Sequence, residues 1–402
     1  MRLLASHRTR AGTACPAAGS SRFNTWARAI LASSLLGFSV AAPLELAAQA
    51  RTTQGIGRAL AESAAEFNRL ISMRELADGR VIVLDEGDQR IVLLSADLSI
   101  AQPLLRIGDG PGEYRRVGSL HALPGDTTLF VDSFNGRITI LVGARFVGVL
   151  SERDAAIAQF QQEVLGADRY GHLLGAPALL GSGRTAVPRA AAESLQLLLS
   201  SRQSSHVDSV GRMRGRGSGR VQMVREEGRA PFMYVGSPLS SQDEAMLFAD
   251  GWVAIAHLRP YRVDWRDPQG RWLRGSPIED PPGALTLEHK CVAWRRIFSG
   301  TRPCRPELLT EWPATLPPFL SSTSNLGVPP LIGEPSGLLV IRRTPSADGE
   351  RPRLDLVDRR SVLVRQLTLQ RGESLLGFGK DAAYIVVTDD DDVQRLRRHE
   401  RK

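Results

Sequence analysis

A shift of 47 residues lays Glu66, Arg69, Ser72, Leu76, Asp85, Arg90, Ile91 and Leu94 on Glu113, Arg116, Ser119, Leu123, Asp132, Arg137, Ile138 and Leu141. Between these identities the character of other positions is kept: Phe67 with Tyr114, Leu70 with Val117, Met73 with Leu120, Val83 with Phe130. Charged and apolar positions that stay in register over such a span mark two copies of one supersecondary unit. A period of 40 to 50 residues belongs to a propeller or a solenoid, in which each unit buries its faces against its neighbours.

The unit reads as antiparallel sheet. Val81 to Leu84 and Ile91 to Leu94 are β-favouring runs separated by the polar, Gly-containing Glu86-Gly87-Asp88-Gln89. In the second copy Leu129 to Val131 and Ile138 to Leu141 flank Ser133-Phe134-Asn135-Gly136, whose Asn-Gly suits the positive φ of a tight hairpin. Ile71 to Leu76 supplies a preceding strand and Gln102 to Ile107 a following one, which makes a four-stranded blade.

Four more hairpins follow this grammar: Arg184 to Pro188 before Leu195 to Leu199, Trp252 to His257 before Tyr261 to Trp265, Leu338 to Arg342 before Arg353 to Val357, and Tyr384 to Thr388 before Val393 to Arg397. Ala249-Asp250-Gly251 also echoes Ala77-Asp78-Gly79 before a second strand. No outer strand follows the last hairpin, whereas Gly55 to Leu60 falls, by the same offset, on the outer strand of the first unit. The N-terminal segment is therefore expected to complete the last blade and close a ring without ends. Arg58 to Leu70 also has the Ala and Glu content of a helix, a local alternative. The fold expected is all-β: a six-bladed β-propeller of four-stranded antiparallel blades, closed by the N-terminal strand, over 51–402.

Gly108-Asp109-Gly110-Pro111-Gly112-Glu113-Tyr114, Ala77 to Asp85, and Gly377-Phe378-Gly379-Lys380-Asp381 with Tyr384 resemble bacterial secreted six-bladed propellers of the NHL-like and TolB-like kind. The resemblance covers 55–150 well, 245–402 moderately and 151–244 poorly. It implies the fold and an exported location, and leaves the ligand open.

Export has its own support. Residues 1 to 28 carry five Arg, an apolar run extends from Ala29 to Ala42, and Ala48-Gln49-Ala50 places small residues where a signal peptidase reads, so 1–50 are expected to be a signal peptide. The apolar run is shorter than the about 20 residues that span a bilayer. Five Arg and Glu45 leave with the signal, so the formal charge falls from +8 to +4. That modest excess, without a concentrated basic stripe, argues against nucleic acid as a partner. Cys15 leaves as well. The remaining Cys291 and Cys304 read as one disulfide in an oxidising compartment, with two buried thiols as the alternative.

Residues 277–330 interrupt the strand pattern. Leu287, Cys291, Trp294 and Phe298 have helix-face spacing and a Pro-rich run around Leu316-Pro317-Pro318-Phe319 follows. Such a helical and Pro-rich insertion would lie across a face or the rim, either as a binding epitope or as a packing element over blade edges.

No catalytic constellation emerges: there is no Gly-x-Ser-x-Gly elbow, and the histidines at 121, 172, 206, 257, 289 and 399 are scattered. Gly108 to Gly112 lacks the Lys-Ser/Thr of a phosphate loop and reads as a blade linker. Asp85, Asp132 and His257 fall at comparable ends of second strands and are the candidate ligand-binding residues at one channel mouth, where a carboxylate and imidazole cluster could bind a divalent metal or act as a base. Hairpin capping is the competing role. Asp389 to Asp392 reads as a solvated hairpin tip, and Gly211 to Arg229 as a cationic, mobile link between the third and fourth blades. No metal site or cofactor is assigned, calcium being the one to consider because six-bladed lactonases hold calcium in such a channel. The function expected is that of a periplasmic or secreted binding or scaffold module for a protein, peptide or glycan, as a monomer. A calcium-dependent lactonase-like hydrolase is the rival, and a sugar binder using Trp252, Trp265 and Trp272 a third possibility.

Overall fold

The computed structural model describes residues 56–132, 137–150, 162–177, 193–201, 206–215, 221–224, 232–235, 239, 241–280, 283–297, 303–310, 312–321, 328–345 and 351–401. They form six four-stranded antiparallel sheets, each ordered from inner to outer strand. Blade 1 is Leu70–Glu75, Val81–Asp85, Arg90–Leu94 and Ala101–Pro103, and blade 2 is Ser119–Leu123, Thr127–Asp132, Arg137–Val142 and Arg145–Leu150. Blade 3 is Gln162–Ala167, His172–Pro177, Ser194–Ser201 and Val207–Arg214, and blade 4 is Glu244–Leu247, Val253–Leu258, Tyr261–Arg266 and Trp272–Leu273. Blade 5 is Leu331–Gly333, Leu339–Arg342, Arg353–Val357 and Leu363–Thr368. Blade 6 joins Glu373–Phe378, Ala382–Thr388 and Gln394–Arg401 to the N-terminal Ile56–Glu62. Each inner strand touches the inner strand of the next blade, and that of blade 6 touches that of blade 1, so the ring is closed.

The continuous apolar runs of the second and third strands follow from burial on both faces, because successive side chains of a strand point to opposite sides. In blade 1, Val81, Val83, Val92 and Leu94 pack against Leu376, Tyr384, Val386 and Leu396 of blade 6. Their neighbours Ile82, Leu84, Ile91 and Leu93 pack on Tyr114, Val117, Phe130 and Leu141 on the blade 2 side. Four further clusters fill the remaining seams, including Leu129 and Ile138 with Val164 and Leu173, and Val340 and Leu356 with Ala383 and Ile385. Each seam is thus a small core shared by two sheets.

Polar tethers repeat at the inner-strand starts. The Leu70 amide donates to the Gln394 side chain of the preceding blade at 2.7 Å, and the Val117 amide, 47 residues on, donates to Gln89 of its preceding blade at 3.2 Å. The Asp-Gly turns echoed in the sequence place Gly79 at φ 85° and Gly251 at φ 88°, a conformation that a Cβ disfavours. Glu113 folds back over its own linker and accepts the Gly110 amide at 2.7 Å, and Arg106–Ile107 pairs in parallel with Glu113–Tyr114. That glycine segment is a blade-to-blade turn.

Several expectations change. Arg58 to Leu70 holds no helix: Ile56–Glu62 is extended because the outer edge of Gln394–Arg401 offers backbone partners, and ladder formation overrides local helix propensity. The outer strand of blade 1 is Ala101–Pro103, shorter than Gln102 to Ile107, whose end goes to the parallel bridge. In the third hairpin Leu195 to Leu199 lies in a strand, but the strand before it is His172–Pro177; Arg184 to Pro188 lie outside the described residues. Gly211 to Arg214 belong to the outer strand of blade 3, and Val221–Val224 pairs with Phe232–Val235, so the stretch expected to be a mobile link carries strand structure. The segment 1–50 and the Asn135-Gly136 turn lie outside the described residues.

Closure by the N-terminal strand is testable. Deleting Ile56–Glu62 strips the backbone partners of Gln394–Arg401 and the Glu62 carboxylate that Arg397 Nε reaches at 2.8 Å. The truncated chain is expected to melt several degrees lower and to self-associate through the bared edge in analytical ultracentrifugation. An unchanged melt would show that the ring does not depend on this strand.

Candidate functional site

Asp85, Asp132 and His257 occupy blades 1, 2 and 4, each at the end of a second strand and on the ring face where inner strands begin. Asp85 is fully buried and accepts the Arg69 amide at 2.9 Å and the Arg90 guanidinium at 2.7 Å. Asp132, also fully buried, accepts the Arg115 and Arg116 amides at 2.8 and 3.2 Å. The two form the same cap, one repeat apart, holding the chain as it enters each inner strand. Burial works against the charge of Asp85, but the Arg69 amide and Arg90 outweigh it and hold its pKa below the usual carboxylate value.

His257 is clamped by its own blade. Its Nδ1 lies 2.7 Å from Asp243 Oδ2 and its Nε2 3.0 Å from Asp264 Oδ2. Asp243 also accepts the Leu258 and Arg214 amides, and Asp264 accepts Arg262 Nε at 2.9 Å and the Gly275 amide at 3.0 Å. These carboxylates are turned toward amide, imidazole and guanidinium donors. Calcium, by contrast, needs six to eight oxygens with free lone pairs, which this donor set does not offer as arranged. Among the described residues no group of three His, Cys, Asp or Glu is placed to hold a metal ion.

Other acidic positions have one recurrent task. Asp168, Asp267, Asp358 and Asp389 each accept, through Oδ1, the amides two and four residues ahead: Tyr170 and His172, Gln269 and Arg271, Arg360 and Val362, Asp391 and Val393. Asp389 to Asp392 is thereby an exposed hairpin tip. Of the three tryptophans, Trp265 is core, Trp252 packs edge-on against it at 6.2 Å beneath Arg359, and Trp272 is partly exposed on an outer strand.

The insertion is the most distinctive element. Helix α1 (Leu287–Ile297) is joined to the turn beyond it by a Cys291–Cys304 disulfide. Trp294, Leu309 and Trp312 form a small core with Cys291, Ala293 and Leu308, and Lys290 Nζ donates to the Leu309 and Trp312 carbonyls. Leu287, expected on the packed face, is about half exposed, as is Val292. Phe298 lies outside the described residues.

A buried polar network fastens this element to the ring. Arg343 NH1 donates to Asp355 Oδ2 at 2.6 Å, NH2 pairs with Asp280, Nε donates to the Pro318 carbonyl at 2.9 Å, and the guanidinium lies 4.9 Å from the Tyr261 ring centre. Tyr261 donates to the same Asp355 oxygen at 2.7 Å, and Gln366 donates to Oδ1 at 2.9 Å. Burial opposes the Arg343 charge, but Asp355 overcomes it and keeps the side chain cationic; burial and Asp355 push the Tyr261 phenol well above its ordinary pKa. The Thr344 hydroxyl donates to the Pro317 carbonyl and the Ser321 amide to Ser241 Oγ, so the Pro-rich run is pinned at both ends.

One pair is not singled out by the sequence reading. Ser119 Oγ and His121 Nε2 are 2.8 Å apart on the inner strand of blade 2. The signal that could have found it is strand periodicity: residues i and i+2 of a strand share a face.

Arg343→Met should destabilise the protein by about 3–5 kcal/mol, since Asp355 and Asp280 stay buried without a counter-charge. Arg343→Met with Asp355→Leu should recover part of that loss in denaturant titrations. Asp85→Ala should cost about 1–3 kcal/mol by orphaning the Arg69 amide. A carboxylate whose folded pKa is depressed stabilises above its unfolded pKa of about 3.9, and that stability is lost as pH falls through the folded value. Melts between pH 5 and 2 should therefore fall less steeply for Asp85→Asn than for the parent.

No protein-family model and no curated protein matches the chain. Solved structures match the chain at low identity. A candidate exported protein of Bacteroides fragilis is 11% identical, with 87% of this chain and 94% of that one covered and a TM-score of 0.46. A gluconolactonase of Xanthomonas campestris is 8% identical, with 86% and 95% covered and a TM-score of 0.43. The virginiamycin B lyase of Staphylococcus aureus is 7% identical, with 86% and 99% covered and a TM-score of 0.41. With its own six sheets and closed inner ring, the chain is a six-bladed β-propeller.

Proposed function

We propose that the protein is an extracytoplasmic binding or scaffold module that recognises a protein, peptide or glycan through the loops of one ring face and the 277–330 insertion. The observation that carries this reading is the insertion's anchorage. Its disulfide, its Trp294 core and the buried Arg343–Asp355 pair hold it, while Leu287 and Val292 stay outward. A surface fixed before binding loses less entropy when a partner docks. The expected signal peptide, residues 1–50, supports an export route, and no helix among the described residues is long and apolar enough to cross a membrane.

Two measurements test it. Capture from an envelope extract of the source cell, read by quantitative mass spectrometry, should lose its enriched partner with Leu287→Glu/Val292→Glu while the melt stays unchanged; equal recovery would defeat the epitope. Chelator should leave the melting temperature of the parent in place. A drop that calcium restores, joined to calcium-dependent lactone hydrolysis, would favour the hydrolase instead.

A further inference from the structure

We propose that Ser119 and His121 form a nucleophile and base pair on the inner strand of blade 2, able to take the acyl group from small activated esters.

The two side chains are two residues apart on a strand, so they stand side by side on one face, opposite Val131 and Leu129 of the second strand. The His121 ring hydrogen-bonds the Val164 backbone of blade 3, which helps hold the imidazole, and in the tautomer protonated at Nδ1 its Nε2, 2.8 Å from Ser119 Oγ, accepts the serine proton. A nucleophile in contact with a base that a third group orients is the arrangement that makes a hydroxyl reactive. Neither side chain is sealed in a core: both residues of the pair are half-buried on the inner strand. The repeat provides a comparison: blade 1 has Ser72 and Arg74 at the equivalent positions, so an inner strand of this kind is built without the histidine.

The chemistry has a defined limit. Burial lowers the His121 pKa to about 4, against the Val164 carbonyl that raises it, so the imidazole is neutral at physiological pH but weakly basic. A weak base serves only where the leaving group departs easily, which selects aryl esters and thioesters over alkyl esters and amides. In the first step Ser119 Oγ bonds to the carbonyl carbon, its proton passes to His121 Nε2, and the carbon to leaving-group bond breaks as the departing aryloxide or thiolate takes that proton. Water then attacks the acyl-serine, His121 takes a water proton, and that proton returns to Ser119 Oγ as the carboxylic acid leaves.

The test uses 4-nitrophenyl acetate and an alkyl fluorophosphonate on the full mature chain, with the adduct located by peptide mass spectrometry. The expected result is a stoichiometric burst and an adduct on Ser119, absent in Ser119→Ala, and about 100-fold slower in His121→Gln. Labelling should hold constant from pH 8 to 5 and fall as pH drops through about 4, where the base is lost. An unlabelled Ser119 in the parent, equal bursts in parent and Ser119→Ala, or equal labelling rates in parent and His121→Gln would each overturn the proposal. Ser119→Cys, labelled with iodoacetamide, checks that the position is reachable in a folded chain; no labelling of that variant would also count against it. The activity is independent of the recognition reading: chelator and the Leu287→Glu/Val292→Glu change should leave it intact, so either can fail without the other.

Discussion

Two-sided burial of each sheet is the constraint on which the structure depends. A blade isolated from its neighbours would expose apolar side chains on both faces, since Val81, Val83, Val92 and Leu94 serve one seam and Ile82, Leu84, Ile91 and Leu93 the other. At about 25 cal/mol per Å² of apolar surface removed from water, no single sheet of this composition satisfies itself. Only a row of sheets does, and only a closed row leaves no end face. Polar groups are placed to serve that packing: Asp85 and Asp132 hold the chain entering inner strands, while Gln89 and Gln394 tie those strands to the preceding blade.

The same demand gives the polar residues that the sequence singles out a structural task. A propeller must turn its chain sharply many times, and each turn leaves amides that need acceptors. Aspartate supplies them at Asp168, Asp267, Asp358 and Asp389. His257 belongs to this class, its two nitrogens engaged by carboxylates of its own blade. The buried Arg343 cluster has a different role: beside the apolar seat of Phe319 it joins a non-repeating element to a repeating one through charge and hydrogen bonds.

Much of the ring is legible in the sequence because β-period alternation and the 47-residue offset are local signals. Five of the six hairpins sit where the pattern puts them, and the closing strand follows from the same offset. The third blade escapes the pattern because its second and third strands are separated by a long connection. Carried on from Thr127–Asp132, the offset lands on His172–Pro177, but carried on from Arg137–Val142 it falls short of Ser194–Ser201. The site is less legible for a physical reason. Whether Asp85 faces a channel or caps an amide depends on where Arg69 lies in space, and whether His121 has a partner depends on the strand register and on Val164 across a seam. Spacing alone puts Leu287 on the packed face, but the helix turns that edge to solvent because Trp294 and Cys291 already fill the insertion's core.

The pairing of Ile56–Glu62 with Gln394–Arg401 also orders events in time. The first described strand to be synthesised must wait for the last, holding an unpaired backbone while more than three hundred residues emerge. Any partial chain is therefore an open arc with an unsatisfied seam at each end. Assembly of the native molecule becomes a terminal event, and the biosynthetic hazard lies in the interval before it, when two incomplete arcs can satisfy one another.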